Sequence, residues 1–173
     1  MREELGARMF LGALRAGRAA HAYLICGPEE GPLLELAMEG AALLLCAGER
    51  EAAPCGVCQD CVLFGAGSHP DFFTLLPEPG KKSIGVDAVR AACAQTESRP
   101  VRGGRKVAFI PQAERMTPAA QNALLKTLEE PPEGVTFLLT GRESALLPTV
   151  RSRCVPIRLQ TASALTGEEE ALR

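Results

Sequence analysis

Four cysteines, Cys46, Cys55, Cys58 and Cys61, fall in one stretch reading CAGEREAAPCGVCQDC, with the spacing C-x8-C-x2-C-x2-C. Two overlapping CxxC units draw three thiols together, and a fourth returns from just upstream. Tetrahedral Zn²⁺ takes four thiolates at about 2.3 Å, and the Pro54-Cys55-Gly56 turn lets the backbone curl round such an ion. Three cysteines this close cannot all reach disulfide geometry at once, which weighs against bridges. The spacing therefore predicts a four-cysteine zinc site. A shell closed by four thiolates leaves no position for water or substrate, so its expected role is structural. The competing reading is a free-standing redox module whose CxxC units cycle between thiol and disulfide; metal analysis separates the two.

Seven cysteines with no secretory leader at Met1-Arg2-Glu3-Glu4 fit a reducing cytoplasm, where thiolates hold metal instead of forming bridges. No apolar run approaches the roughly 20 residues of a membrane span. With no Trp and one Tyr, the chain lacks stacking platforms for single-stranded nucleic acid, and a net charge of −2 demands no polyanion. Lys81, Lys82, Arg99, Arg102, Arg105 and Lys106 are scattered near turns and read as a solvated basic face. Cys26, Cys93 and Cys154 sit in apolar contexts and read as buried small hydrophobes. With four thiols completing the shell, His21 and His69 read as packing or loop hydrogen-bonding residues, His69 bracing the loop after the cysteines.

The chain alternates strand and helix. Leu5, Met9, Phe10 and Leu14 share a helical face that ends at Gly17, and Ala22 to Cys26 is a short apolar strand. A turn from Gly27 to Pro32 leads into a buried helix from Leu33 to about Leu45, which delivers Cys46 to a loop-rich insertion. Phe72 to Leu76 reads as the next strand. A helix marked by Ile84, Val86, Val89 and Ala92 follows, then a strand from Lys106 to Ile110. Thr117 is placed to cap a helix with Pro118 at its first position, ending at Glu130. Val135–Leu139 and Val155–Leu159 complete the strands. The pattern predicts an α/β fold with a parallel sheet covered on both faces.

Strand, glycine turn and helix form the frame of a phosphate-binding loop, G-x-x-x-x-G-K-[ST]. Counted from Gly27, with Gly31 inside the turn, Pro32 stands at the second glycine position, Leu33 at the lysine and Leu34 at the hydroxyl. Pro32 has no N–H for a phosphate, Leu33 cannot neutralise one, and Leu34 cannot ligate Mg²⁺. After the strand ending at Ile110, where paired acids would hold Mg²⁺, the chain reads Pro111-Gln112-Ala113-Glu114, with one carboxylate at the wrong offset. No ATP binding or hydrolysis is expected.

The segments AAHAYL (19–24), the cysteine insertion, GSHPD (67–71), NALLKTLEEPP (122–132) and RSRC (151–154) occur in this order. Together they resemble the N-terminal domain of bacterial DNA polymerase III clamp loader subunits of the AAA+ class. The likeness runs from about Leu5 to Leu159. It implies an AAA+ P-loop-NTPase-like three-layer domain over residues 1–160, with a zinc module at about 46–64. Residues 161–173 would begin a lid or form a disordered tail.

The catalytic gamma/tau members keep an intact phosphate-loop lysine, so the losses here imply a non-hydrolysing member. In that family the arginine of Ser-Arg-Cys reaches the γ-phosphate bound by a neighbouring subunit; by position it is Arg153. Gly141 stands where an active ATPase carries a polar sensor residue. The implied partners are gamma/tau subunits, a delta subunit and the sliding clamp, with primer-template DNA reached through the assembly. An active gamma/tau-type ATPase is the alternative within the family.

Overall fold

A computed structural model describes residues 2–160; the lid or tail expected over 161–173 lies outside the described residues. Near-continuous apolar runs dictate the architecture. A strand with alternate residues facing water would read apolar-polar, whereas β1 (Ala22–Cys26), β3 (Lys106–Ile110) and β4 (Val135–Gly141) are buried at every position. With β2 (Phe72–Thr74) and β5 (Val155–Arg158) they form one parallel sheet in the order β2-β3-β4-β1-β5.

Residue parity separates two cores. Leu24, Ala108, Ile110, Phe137 and Leu139 face α4 (Val86–Glu97) and α5 (Pro118–Glu129). Tyr23, Ile25, Val107, Phe109 and Leu138 face α1 (Arg2–Arg15) and α2 (Glu30–Leu45). The result is the expected three-layer α/β domain.

Several boundaries differ from the sequence reading. Helix α2 begins at Glu30, not Leu33, because Pro32 occupies the first turn, where its missing N–H has no partner to lose. Ile84 lies outside α4 and forms an isolated parallel bridge with Met116. Strand β2 stops at Thr74, and β4 runs on to Gly141. The insertion contains a helix, α3 (Gln59–Gly65), and a one-turn helix, α6 (Pro148–Arg151), precedes β5. Thr117 caps α5 as its sequence requires, its side chain accepting from the Ala120 N–H, with Pro118 at the first position.

Lys106 does not belong to a solvated basic face. It is 4% exposed, and its Nζ donates to the Gln95 and Ser98 carbonyls at 2.8 Å and to Ser98 Oγ at 2.7 Å. A buried cation thus closes the carbonyl end of α4, where the helix dipole is negative. Lys106→Met should lower unfolding free energy by about 2 kcal/mol in urea titration, since hydrogen bonds donated by a charged group contribute about 1.5–3 kcal/mol.

Candidate functional site

In parallel sheets ligands bind beyond the carboxyl ends of the strands, near a topological switch point. Here that place is bounded by Gly27 after β1, Gln112 and Glu114 after β3, and Gly141 ending β4. It holds a cavity of about 160 Å³, below the roughly 300–1,000 Å³ of typical ligand pockets. Leu33, at the phosphate-lysine position, is 3% exposed and joins the core between the sheet and α2. Its Cδ2 lies 3.2 Å from where a Cβ on Gly27 would sit, so the side chain points beneath the loop and not outward. Leu34, at the hydroxyl position, is 42% exposed. Because α2 starts at Glu30, only Gly27, Pro28 and Glu29 remain as loop. Gly31 and Pro32, expected in the turn, lie within the helix.

Carboxylates crowd the same place. Gln112 adopts a left-handed conformation (φ 50°) and donates from Nε2 to Glu30 Oε1, tying the β3 end to the first turn of α2. Glu114 Oε2 accepts from the Arg142 N–H at 3.3 Å, and Glu114 Oε1 lies 3.6 Å from Arg142 Nε. Gly141 has φ 144°, and a Cβ there would stand 1.9 Å from Glu114 Oε2. A polar sensor side chain cannot occupy that position while Glu114 fills it. Glu30 brings a negative charge to the helix end that would otherwise attract phosphate.

The cysteine insertion lies at the opposite end of the sheet, between the carboxyl end of α2 and the start of β2. The four Sγ atoms all lie within 4.8 Å of one another, with Cys46–Cys58 and Cys55–Cys61 each 4.0 Å apart. Four sulfurs at about 2.3 Å from one tetrahedral ion are about 3.8 Å apart, so the set fits Zn²⁺. None of the four is in a disulfide. Backbone N–H groups of Gly48 and Cys55 point at Cys46 Sγ at 3.4 and 3.5 Å. Those of Cys58 and Cys61 point at Cys55 Sγ and Cys58 Sγ at 3.3 and 3.4 Å. Such donors favour thiolate. The Cys61 N–H leads in holding the Cys58 thiol down to about 6, and the Val57 N–H leads in lowering Cys55. Desolvation pushes Cys61 up to about 12.

The insertion is fastened by residues between and after the cysteines. Asp60 Oδ1 accepts from Arg102 Nε at 2.7 Å and contacts His69 Nε2 at 3.2 Å, while His69 Nδ1 accepts from the Asp71 N–H at 3.0 Å. The Asp71 carboxylate, fully buried, accepts from the Val101 and Arg102 N–H groups at 2.7 and 2.8 Å. His69 therefore braces the loop as its sequence position implied. His21 contributes its carbonyl to Phe137 N–H, and its Nε2 is buried without a hydrogen-bond partner.

The two arginines of Arg151-Ser152-Arg153-Cys154 part company. Arg151 lines a groove with Arg142, Arg158 and Glu143 at the carboxyl end of the sheet. Arg153 lies before β5, whose Val155 pairs with Tyr23 and Arg158 with Cys26, so it stands at the amino end of the strands. It is turned toward the end of α5 and away from this chain's own phosphate loop. Its turn is held by Leu147 N–H donating to Gln121 Oε1 at 2.7 Å and by Arg153 N–H donating to the Val150 carbonyl at 3.1 Å. Glu129, to which the sequence assigns no role, contacts Arg153, and Glu114, the carboxylate at the wrong offset for Mg²⁺, fills the space beside Gly141. Only Glu129 carries a local signal, an acid at a helix carboxyl end.

Comparison with known proteins adds identity to this geometry. The family described as "DNA polymerase III, delta subunit" matches residues 3–163. The DNA polymerase III subunit delta′ of Pseudomonas aeruginosa is 45% identical over 159 residues, covering 90% of this chain and 47% of that protein. The Escherichia coli delta′ subunit is 43% identical over 145 residues, covering 83% and 43%. The gamma/tau subunit of Mycobacterium tuberculosis is 38% identical over 150 residues, covering 85% and 26%. A DNA polymerase III gamma subunit-related protein from Thermotoga maritima shares the fold, with a TM-score of 0.66 at 24% identity, over 96% of this chain and 48% of that one. The chain spans about half the length of the delta′ relatives it matches. Among the described residues no helix is long and apolar enough to cross a membrane.

Proposed function

The chain belongs to the DNA polymerase III delta′ family, and from that premise we propose that it is a non-hydrolysing clamp loader subunit acting through its neighbours. The observation that carries this reading is Leu33, which fills from below the seat where a phosphate-binding lysine would stand. With Glu30 and Glu114 at the rim, a triphosphate would meet carboxylates, a short loop and no cation from α2. The domain then serves as a rigid frame. It binds gamma/tau subunits in a complex with a delta subunit, supports loading of the sliding clamp in DNA replication, and meets primer-template DNA through the assembly.

Arg153 is the residue assigned to chemistry. It faces away from its own loop, so it acts on ATP held by an adjacent gamma/tau subunit. There the guanidinium fork stabilises charge building on the transferring phosphoryl group. Cys46, Cys55, Cys58 and Cys61 hold a structural Zn²⁺, which when bound fixes the insertion and takes no part in the reaction. The chain works in the cytoplasm.

Isothermal titration with ATP and Mg²⁺ tests the reading on the chain alone. No saturable heat is expected up to about 1 mM nucleotide, weaker than about −4 kcal/mol. Saturable micromolar binding would overturn the reading of Pro32, Leu33 and Leu34 and favour an active gamma/tau-type ATPase.

A further inference from the structure

Helix α5 ends in a way its own chemistry does not favour. Glu129 is its last residue and Glu130 caps it, both at the negative pole of the helix dipole. Lys126 is the one base in the last turn, set against these two acids, and a local rule broken in this way marks a place shaped by function. The compensation is tertiary: Glu129 Oε1 accepts from Arg153 Nη2, 24 residues on. The second fork nitrogen, Nη1, donates to the Thr149 carbonyl at 2.7 Å on α6. Nη1 also lies 3.5 Å from Ser152 Oγ; a guanidinium has five N–H donors, so these fastenings fix its plane and leave donors for phosphoryl oxygens.

We propose that Glu129 is the positioning residue of the arginine finger, holding Arg153 at the domain edge in one geometry before a neighbour docks. This rests on the assignment of Arg153 above. Stability does not explain the pair. The side chains are 31% and 50% exposed, and exposed ion pairs add little to a fold. Direction is what the contact supplies. An arginine free to sample its rotamers must be ordered when the transition state forms, whereas one already clamped at both Nη atoms need not be.

The test uses the full chain assembled with gamma/tau-type subunits, measuring single-turnover ATP hydrolysis at the site facing this chain. Glu129→Ala is expected to lower the rate constant on the order of 10-fold with the KM for ATP unchanged, since only transition-state contacts are lost. Glu129→Gln, which keeps an oxygen acceptor, should recover part of that loss. The decisive variant is Glu129→Ala with Arg153→Ala. If Glu129 acts through Arg153, the double variant hydrolyses no more slowly than Arg153→Ala alone. A rate unchanged or raised in Glu129→Ala overturns the proposal, as does a double variant slower than Arg153→Ala by the full single-variant factor. If Arg153→Ala itself leaves the rate unchanged, the finger assignment fails, and this inference falls with it.

Discussion

Arg153→Ala is expected to slow hydrolysis at a neighbouring gamma/tau site, as the proposed finger requires, by on the order of 10³-fold, the lower end of what arginine fingers supply in nucleotide hydrolases. The fold should survive. The turn carrying Arg153 is held by backbone hydrogen bonds, Arg153 N–H to the Val150 carbonyl and Cys154 N–H to the Arg151 carbonyl, none of which needs the guanidinium. Losing an exposed pair costs at most about 1 kcal/mol, or roughly 2–4 °C in Tm for a domain of this size. Arg153→Lys should recover little, because an ammonium keeps the charge but cannot fork between Glu129, the Thr149 carbonyl and a phosphoryl oxygen. Rapid-quench hydrolysis by the assembled complex, with thermal melting of each variant, measures both halves. Wild-type turnover by Arg153→Ala would remove the finger from this residue.

How far the sequence carried this reading depended on the range of each interaction. Strands β1 and β3 were legible to the residue because burial on both faces makes an apolar run that turn residues end abruptly. The start of α5 was legible because a threonine cap and a first-position proline act within one turn. Helix α2 starts earlier than its sequence predicts because Pro32 signals a turn locally yet is tolerated in a first helical turn. Ile84 fits a helical period with Val86 and Val89, and only its pairing to Met116 takes it out of the helix.

The candidate site divides in the same way. The loss of the phosphate loop could be read from residue types. That Leu33 turns inward, that Glu114 occupies the space beside Gly141 and that Glu129 meets Arg153 are contacts between segments far apart in the chain. The burial of Lys106 is hidden from its sequence for the same reason, since its acceptors belong to the end of another helix.

Loss of metal should produce the largest structural change. Between Cys46 and Phe64 only Ala53 and Asp60 are buried, so the insertion has almost no apolar core of its own. Its helix α3 spans 7 residues, below the roughly 12–15 at which isolated helices become even marginal in water. Structural zinc in comparably small units contributes an apparent 10–16 kcal/mol, about as much as a whole domain's stability. Chelation, or Cys58→Ser, is therefore expected to release one Zn²⁺ per chain and unfold residues 46–64.

The change should spread in one direction. Asp60 holds Arg102 and His69, and His69 leads to Asp71 at the start of the edge strand β2, so β2 should loosen next. The buried strands β1, β3 and β4 do not depend on the insertion and should stay protected. Amide hydrogen exchange with and without chelator reads this gradient: full exchange over 46–64, partial loss at Phe72–Thr74, and none at β1. Acid should act like the chelator, because protons compete for the thiolates. Cys58, lowered to about 6, is ionised at neutral pH before metal arrives and becomes protonated as pH falls below that value. Protected amides across 46–64 in metal-free protein would overturn this, showing that the insertion holds its fold without an ion.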